Sequence, residues 1–158
     1  MKTREAVSRM RSSTHDVTEE YNDVECVWFL NTAIHTISAQ LIASNSPFMV
    51  KEGIFHDGGS FPKEYYRTAG GFPIKVTGHK IKFLIDAEDL TIRYFYTPYE
   101  VTLMDEAEDM PFDNEALNEL AVRVAVILAS NENEFDVSQD TNIQQMIQQA
   151  IASGLMGL

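Results

Sequence analysis

Four histidines, one cysteine, two glycine pairs and a knot of acids are the side chains of this 158-residue chain that could do chemistry. A metal ion or a general acid-base pair needs several such groups converging on one point. His15, His35, His56 and His79 are dispersed, and none has a second His, Cys or carboxylate at a ligand spacing that fixes geometry. His35 reads as a hydrogen-bonded helix residue and His79 as a turn residue. Asp86, Glu88 and Asp89 resemble paired carboxylates, but a tight turn selects acids on its own account. No acid in the chain is followed two residues later by lysine, a spacing that many metal-dependent nucleases use. Gly58-Gly59 and Gly70-Gly71 lack the Lys-Ser/Thr of a phosphate loop and do not stand between a strand and a helix. Cys26 has no partner for an internal disulfide and reads as a small core residue. No catalytic, metal or cofactor residue is assigned, and the expectation is a protein that is not an enzyme.

Charge is the stronger signal. The formal net charge is -12, from 24 acids and 12 bases, and it is unevenly spread. Residues 1–15 carry four bases against one acid, and residues 51–93 carry seven against six. Residues 16–25 hold five acids and no base, residues 100–115 hold seven and none, and no Lys or Arg follows Arg123. Nucleic-acid affinity comes mostly from Lys and Arg displacing counterions, so ordinary DNA binding is disfavoured. The basic N-terminus leads into no apolar stretch, and the longest apolar run, Leu120 to Ala129, is interrupted by Arg123 and too short to span a bilayer. A soluble, cytosolically made protein with no membrane partner is expected.

The elements that must position these charges are legible as patterns. At 44% hydrophobic and 10% aromatic, 158 residues can close one core and are too few for two ordinary domains. A short helix is expected from Thr3, with Val7 and Met10 on one face. A second starts at Asn22, which with Glu25 matches a capping box, and runs to about Ala43. Val24, Val27, Trp28, Ile34 and Leu41, with Leu30 and Ile37, give it a broad apolar face, and Trp28 reads as a core anchor. Around the GGSFP and GGFP turns the pattern changes to alternation. A two-residue Gly78-His79 turn pairs Thr77 with Lys80, Val76 with Ile81, Lys75 with Lys82 and Ile74 with Phe83. A four-residue turn at DAED would then set Phe83 against Ile92 and Lys82 against Arg93. That is a three-stranded meander with Lys75, Lys82 and Arg93 in one row.

After the acidic loop, PFDNEALNELAVRVAVILAS begins a central helix capped by Asp113 or Asn114, with Glu119 and Arg123 at ion-pair spacing. A last helix at about 140–154 carries a narrow stripe of Ile143, Met146, Ile147, Ala150 and Ile151, and the tail adds Leu155, Met156 and Leu158. The fold class is α+β: a small bundle of about four helices with an antiparallel β meander or extension inserted at about 48–98, read as a single domain over 1–158.

The order of these segments resembles the head-tail connector, or adaptor and head-completion, proteins of tailed bacteriophages. YNDVECVWFLNTAIHTIS stands in the place of their second helix, with its acidic residue, hydrophobic pair and Leu-Asn. LTIRYFYTPYEVTL followed by MPFDNEALNELAVRVAVILA is similar to their aromatic strand, Pro-containing bend and alanine-rich central helix. The likeness runs from about Thr3 to Ile151 and rests on patterns; the basic or aromatic C-terminal tail of some relatives is missing. It implies a structural virion protein at the head-tail junction, a homo-oligomeric ring commonly of about twelve copies. Such a ring sits between the portal protein and a further neck or tail protein, and DNA passes through without specific binding. No catalytic residue or cofactor is carried over. On that footing an acidic channel wall would let DNA slide, although a charged loop that is merely solvated accounts for the same residues. The alternatives are an acidic DNA mimic that occupies a host nucleic-acid-binding protein and, third, a small metal-dependent enzyme.

Three site assignments follow. Lys75, Lys82 and Arg93 would pair across a subunit boundary with Asp105, Glu106, Glu108, Asp109 and Asp113 of the next copy, or else form a solvated face. Ile143, Ile147, Ile151, Leu155, Met156 and Leu158 would dock on the portal or tail, or else pack on their own bundle. Phe55, Phe61, Tyr65 and Tyr66 would form a flexible arm that orders on contact.

Overall fold

The computed structural model describes residues 1–13, 22–103, 105–131 and 141–155. Four helices, α1 (Thr3–Ser13), α2 (Asp23–Ala43), α3 (Glu115–Asn131) and α4 (Thr141–Leu155), bracket five strands. The strands are β1 (Val50–His56), β2 (Tyr65–Thr68), β3 (Ile74–Thr77), β4 (Lys80–Phe83) and β5 (Asp89–Tyr96). All strand pairing is antiparallel, so the α+β class with four helices holds. The chain divides into two compact units, one of residues 1–37 and 100–158 and one of residues 38–99. The second begins inside α2, earlier than the insertion expected at about 48–98.

In the helical unit the ends are set as the sequence suggests. Asn22 accepts from the Glu25 N–H (2.9 Å) at the start of α2, and Asn114 accepts from the Ala116 N–H (2.9 Å) at the start of α3. Helix α3 is the central one: Leu117, Leu120, Ala121, Val124 and Ala125 are all buried, with α1 and α4 packed on it. Glu119 does not pair along its own helix; its carboxylate lies 3.8 Å from Arg9 of α1. Gly154 lets α4 come close, because a Cβ there would meet Leu120 and Arg123 of α3 at 2.9 Å. Cys26 is buried, as expected of a small core residue.

Trp28 corrects an expectation. It is 58% exposed and Val24 is 78% exposed, while Cys26, Phe29, Leu30, Ala33 and Ile34 are buried. Apolar residues surround α2 on nearly every side, so periodicity alone picks the wrong stripe. By length and composition α2 could cross a bilayer, a test that the core helix of a folded domain also passes; half of its apolar window is buried in this fold.

The β unit confirms one register and overturns another. The β3-β4 hairpin has the expected four pairs, Ile74 with Phe83 through Thr77 with Lys80, and Gly78 takes the left-handed conformation (φ 63°) that its tight turn requires. Strand β5 does not continue that sheet. It sits between β1 and β2, with Arg93 opposite Glu52 and Ile92 opposite Gly53. The row of Lys75, Lys82 and Arg93 therefore does not exist.

The partner of β5 is chosen by an aromatic cluster. Phe61 stacks on Tyr65 (4.0 Å between centroids, 9° between planes), and Phe55 and Tyr94 meet Phe61 at 4.8 and 5.5 Å. Phe55, Phe61, Tyr65 and Tyr66 are the residues expected in a flexible arm. Instead Phe55, Tyr65 and Tyr66 are strand residues and Phe61 is buried; of the four only Tyr66 stands exposed. Large apolar rings order a segment when they find one another.

Candidate functional site: an acidic latch and an open arginine cleft

The acidic segment is held to its own chain. Backbone bonds run from the Thr3 N–H to the Glu108 carbonyl and from the Met110 N–H to the Met1 carbonyl, each 2.9 Å, joining residues 1–3 to 108–110 as a short antiparallel bridge. Bases of the N-terminal segment meet its acids: Lys2 lies 2.7 Å from Asp109, Arg4 lies 3.2 Å from Glu106, and the Met1 amino group lies 2.8 Å from Glu115. The Lys2 hydrogen bond, with its charge, holds the Asp109 carboxyl below the ordinary range. The bond from the Met1 amino group does the same for Glu115.

Glu108 works inward. Burial would raise its carboxyl, but the backbone N–H groups of Thr102 and Leu103 and the Thr102 hydroxyl donate to it at 3.0 to 3.3 Å and bring it below the usual value. It steadies Leu103 in a left-handed conformation (φ 59°) that a residue with a Cβ seldom adopts. Underneath, Met110 and Phe112 are buried, and Asn118 accepts from the Phe112 N–H (3.2 Å) and donates to the Phe112 carbonyl (3.0 Å). Asp105 caps the turn by accepting from the Ala107 N–H (2.8 Å). Four of the acids assigned to a neighbouring copy, Asp105, Glu106, Glu108 and Asp109, thus have partners within the chain.

The C-terminal stripe also turns inward. Ile147 and Ile151 are buried and α4 lies against α3, so these two are not available for docking. Leu155 is half-buried; the Ile143 side chain, Met156 and Leu158 lie outside the described residues.

A different arrangement stands open on the outer face of the β1-β5-β2 sheet. A cleft of about 640 Å³ is lined by Asn45, Pro47, Val50, Glu52, Arg67 and Arg93, among others. Asn45 adopts φ 56°, which turns the chain after α2. Arg67 is fixed by bonds from one terminal nitrogen to the Ile42 carbonyl (2.9 Å) and Asn45 Oδ1 (2.8 Å), and its guanidinium lies 4.3 Å over the Phe95 ring. Lys51 faces the other side of the sheet, 3.2 Å from Glu64 and 4.3 Å over the Tyr96 ring.

Arg93, the one member of the expected basic row that reaches this face, has no side-chain partner among the described residues. Sequence reasoning missed Arg67, since nothing in YYRT marks it. Chemically, a fixed arginine beside a second one suits a carboxylate or phosphate.

His56 contacts Asp89 across the β1-β5 pair, and the His79 ring nitrogen lies 3.1 Å from the Pro62 carbonyl, as suits a turn residue. His35 is exposed on α2 with Glu100 at 3.4 Å. Among the described residues no three His, Cys, Asp or Glu side chains are placed to share a metal ion. Comparison with protein-family models and with curated proteins gives no match.

Proposed function

We propose that the chain is a structural connector of a tailed bacteriophage, closing as a ring of copies between the portal and a further neck or tail protein, with DNA passing through without specific contacts. The observation that carries this reading is the compact β unit inserted between α2 and α3, which holds large apolar side chains in water. Ile54 is 69% exposed and Leu84 62%, with Ile85 and Tyr66 at half or more. Such side chains on an inserted unit mark a surface for other subunits. A head-to-tail ring covers two different patches of each copy at once.

The acidic DNA mimic is the weaker reading. Mimicry needs exposed carboxylates without cations beside them, and Glu106, Asp109 and Glu115 each have one. Sedimentation velocity on the full-length chain over a wide concentration range separates the two. The connector reading expects a discrete oligomer that Ile54→Lys weakens. A chain that stays monomeric and instead binds a basic nucleic-acid-binding protein with one-to-one stoichiometry would replace it.

A further inference from the structure

The outer sheet face holds two arginines that pair with no carboxylate among the described residues. Val50 and Arg67 are both opposite Phe95, and Arg93, two residues earlier on β5, faces the same side opposite Glu52. Diagonal neighbours on a sheet stand about 7–8 Å apart, close enough for like charges to repel. Glu52 is the sole acid among the residues lining the cleft. Arg67 is already immobilised by Ile42, Asn45 and Phe95, while its Nη1 and Nε donors take no partner among the described residues. An arginine held this way loses little further freedom when it binds a planar anion.

We propose that this face docks an acidic segment of a second copy of the chain, the stretch 132–140, whose carboxylates Arg67 and Arg93 receive. The inference rests on the ring reading. Charge narrows the occupant to an acidic stretch, and in the stretch 16–25 Asp23 already pairs with Arg11. The acidic stretch at 100–115 already has Glu106, Glu108, Asp109 and Glu115 engaged within its own chain. The stretch 132–140, ENEFDVSQD, carries Glu132, Glu134, Asp136 and Asp140, and no Lys or Arg follows Arg123. It lies outside the described residues. Phe135 stands among those acids, and Pro47, Val50 and Phe95 supply apolar walls around the arginines. A partner with a phosphate backbone fits worse, because a chain of net charge -12 repels it at longer range.

The test is fluorescence anisotropy at low salt, with full-length chain titrated into a labelled peptide of residues 131–140. A composition-matched acidic peptide lacking the phenylalanine and a short single-stranded DNA serve as probes of the other sources. Arg93→Ser, at a side chain with no bond among the described residues, and Arg67→Glu should each weaken binding of the 131–140 peptide by about tenfold or more, the scale of one lost charged anchor. Added salt should weaken it as well. The melting temperature of Arg93→Ser, measured alongside, should match that of the parent.

No binding of the peptide, equal binding of the matched acidic peptide, or binding unchanged in both variants would overturn the proposal. Tighter binding of the DNA, lost in the same variants, would give the face to a phosphate ligand instead and overturn it too. Sedimentation of the same variants separates this inference from the ring reading. Oligomers that survive both substitutions overturn the docking site and leave the ring standing. Peptide binding by a chain that stays monomeric upholds the site and counts against the ring.

Discussion

The chain's two charged regions are used in opposite ways. The acidic segment folds onto bases of its own N-terminal stretch, with Met110 and Phe112 buried beneath it, and is closed. The arginines of the sheet face sit on an ordered scaffold with a single acid near them, and that face is open. The net charge is acidic, yet the acids at 106–109 have partners within the chain, while Arg67 and Arg93 pair with no carboxylate among the described residues. The difference teaches that a large net charge does not locate a binding surface; uncompensated charge on a rigid support does.

The sharpest way to break this contrast is to remove what holds the acidic segment. Phe112→Ala should cost about 3–5 kcal/mol in urea unfolding, the usual range for a buried Phe. A loss under about 1 kcal/mol would mean that charge, and not burial, fixes the segment. Next comes Asn118→Ala, which leaves the Phe112 N–H and carbonyl buried without partners and should cost about 1–3 kcal/mol. Acid titration probes the same region at lower amplitude. Glu108, Asp109 and Glu115 are depressed in the folded chain, so their contribution is present above the ordinary carboxylate pKa of about 4 and is lost as pH falls through the lower folded values. The melting temperature should hold down to about pH 5 and drop below about pH 4; a rise on acidification would reverse the sign. The smallest effect belongs to Lys2→Ala, because both partners of the Lys2-Asp109 pair are more than half exposed. It should move the urea midpoint less than Asn118→Ala does, and the difference should vanish in high salt.

What the sequence made legible was local. The β3-β4 register follows from a two-residue glycine turn and a side-chain period of two, and both helix caps follow from an asparagine at the right offset. The partner of β5 was not legible. Leu90, Ile92 and Tyr94 alternate as any half-buried strand does, and the choice of β1 over β4 depends on Phe55, Phe61 and Tyr65 gathering around Tyr94 from distant positions. Those rings read as a loose arm in sequence because long glycine-flanked stretches usually are loops. Trp28 was misplaced for a related reason: with apolar residues around most of α2, only the packed neighbours reveal which side faces out. Of the candidate sites, the basic and acidic segments were visible as compositions, but the pairing of residue 2 with residue 109 spans most of the chain. Arg67 gave no sequence signal, since its fixation depends on the Ile42 carbonyl and on the left-handed turn at Asn45.

The central claim, that the chain is a ring-forming connector, is met most directly by electron microscopy of the particle that contains it, with averages computed around the labelled chain. The account predicts a closed ring of identical copies on the axis between portal and tail, with the β unit of each copy against its neighbour. A single copy seated on an unrelated basic protein, or no density at the head-tail junction, would contradict it.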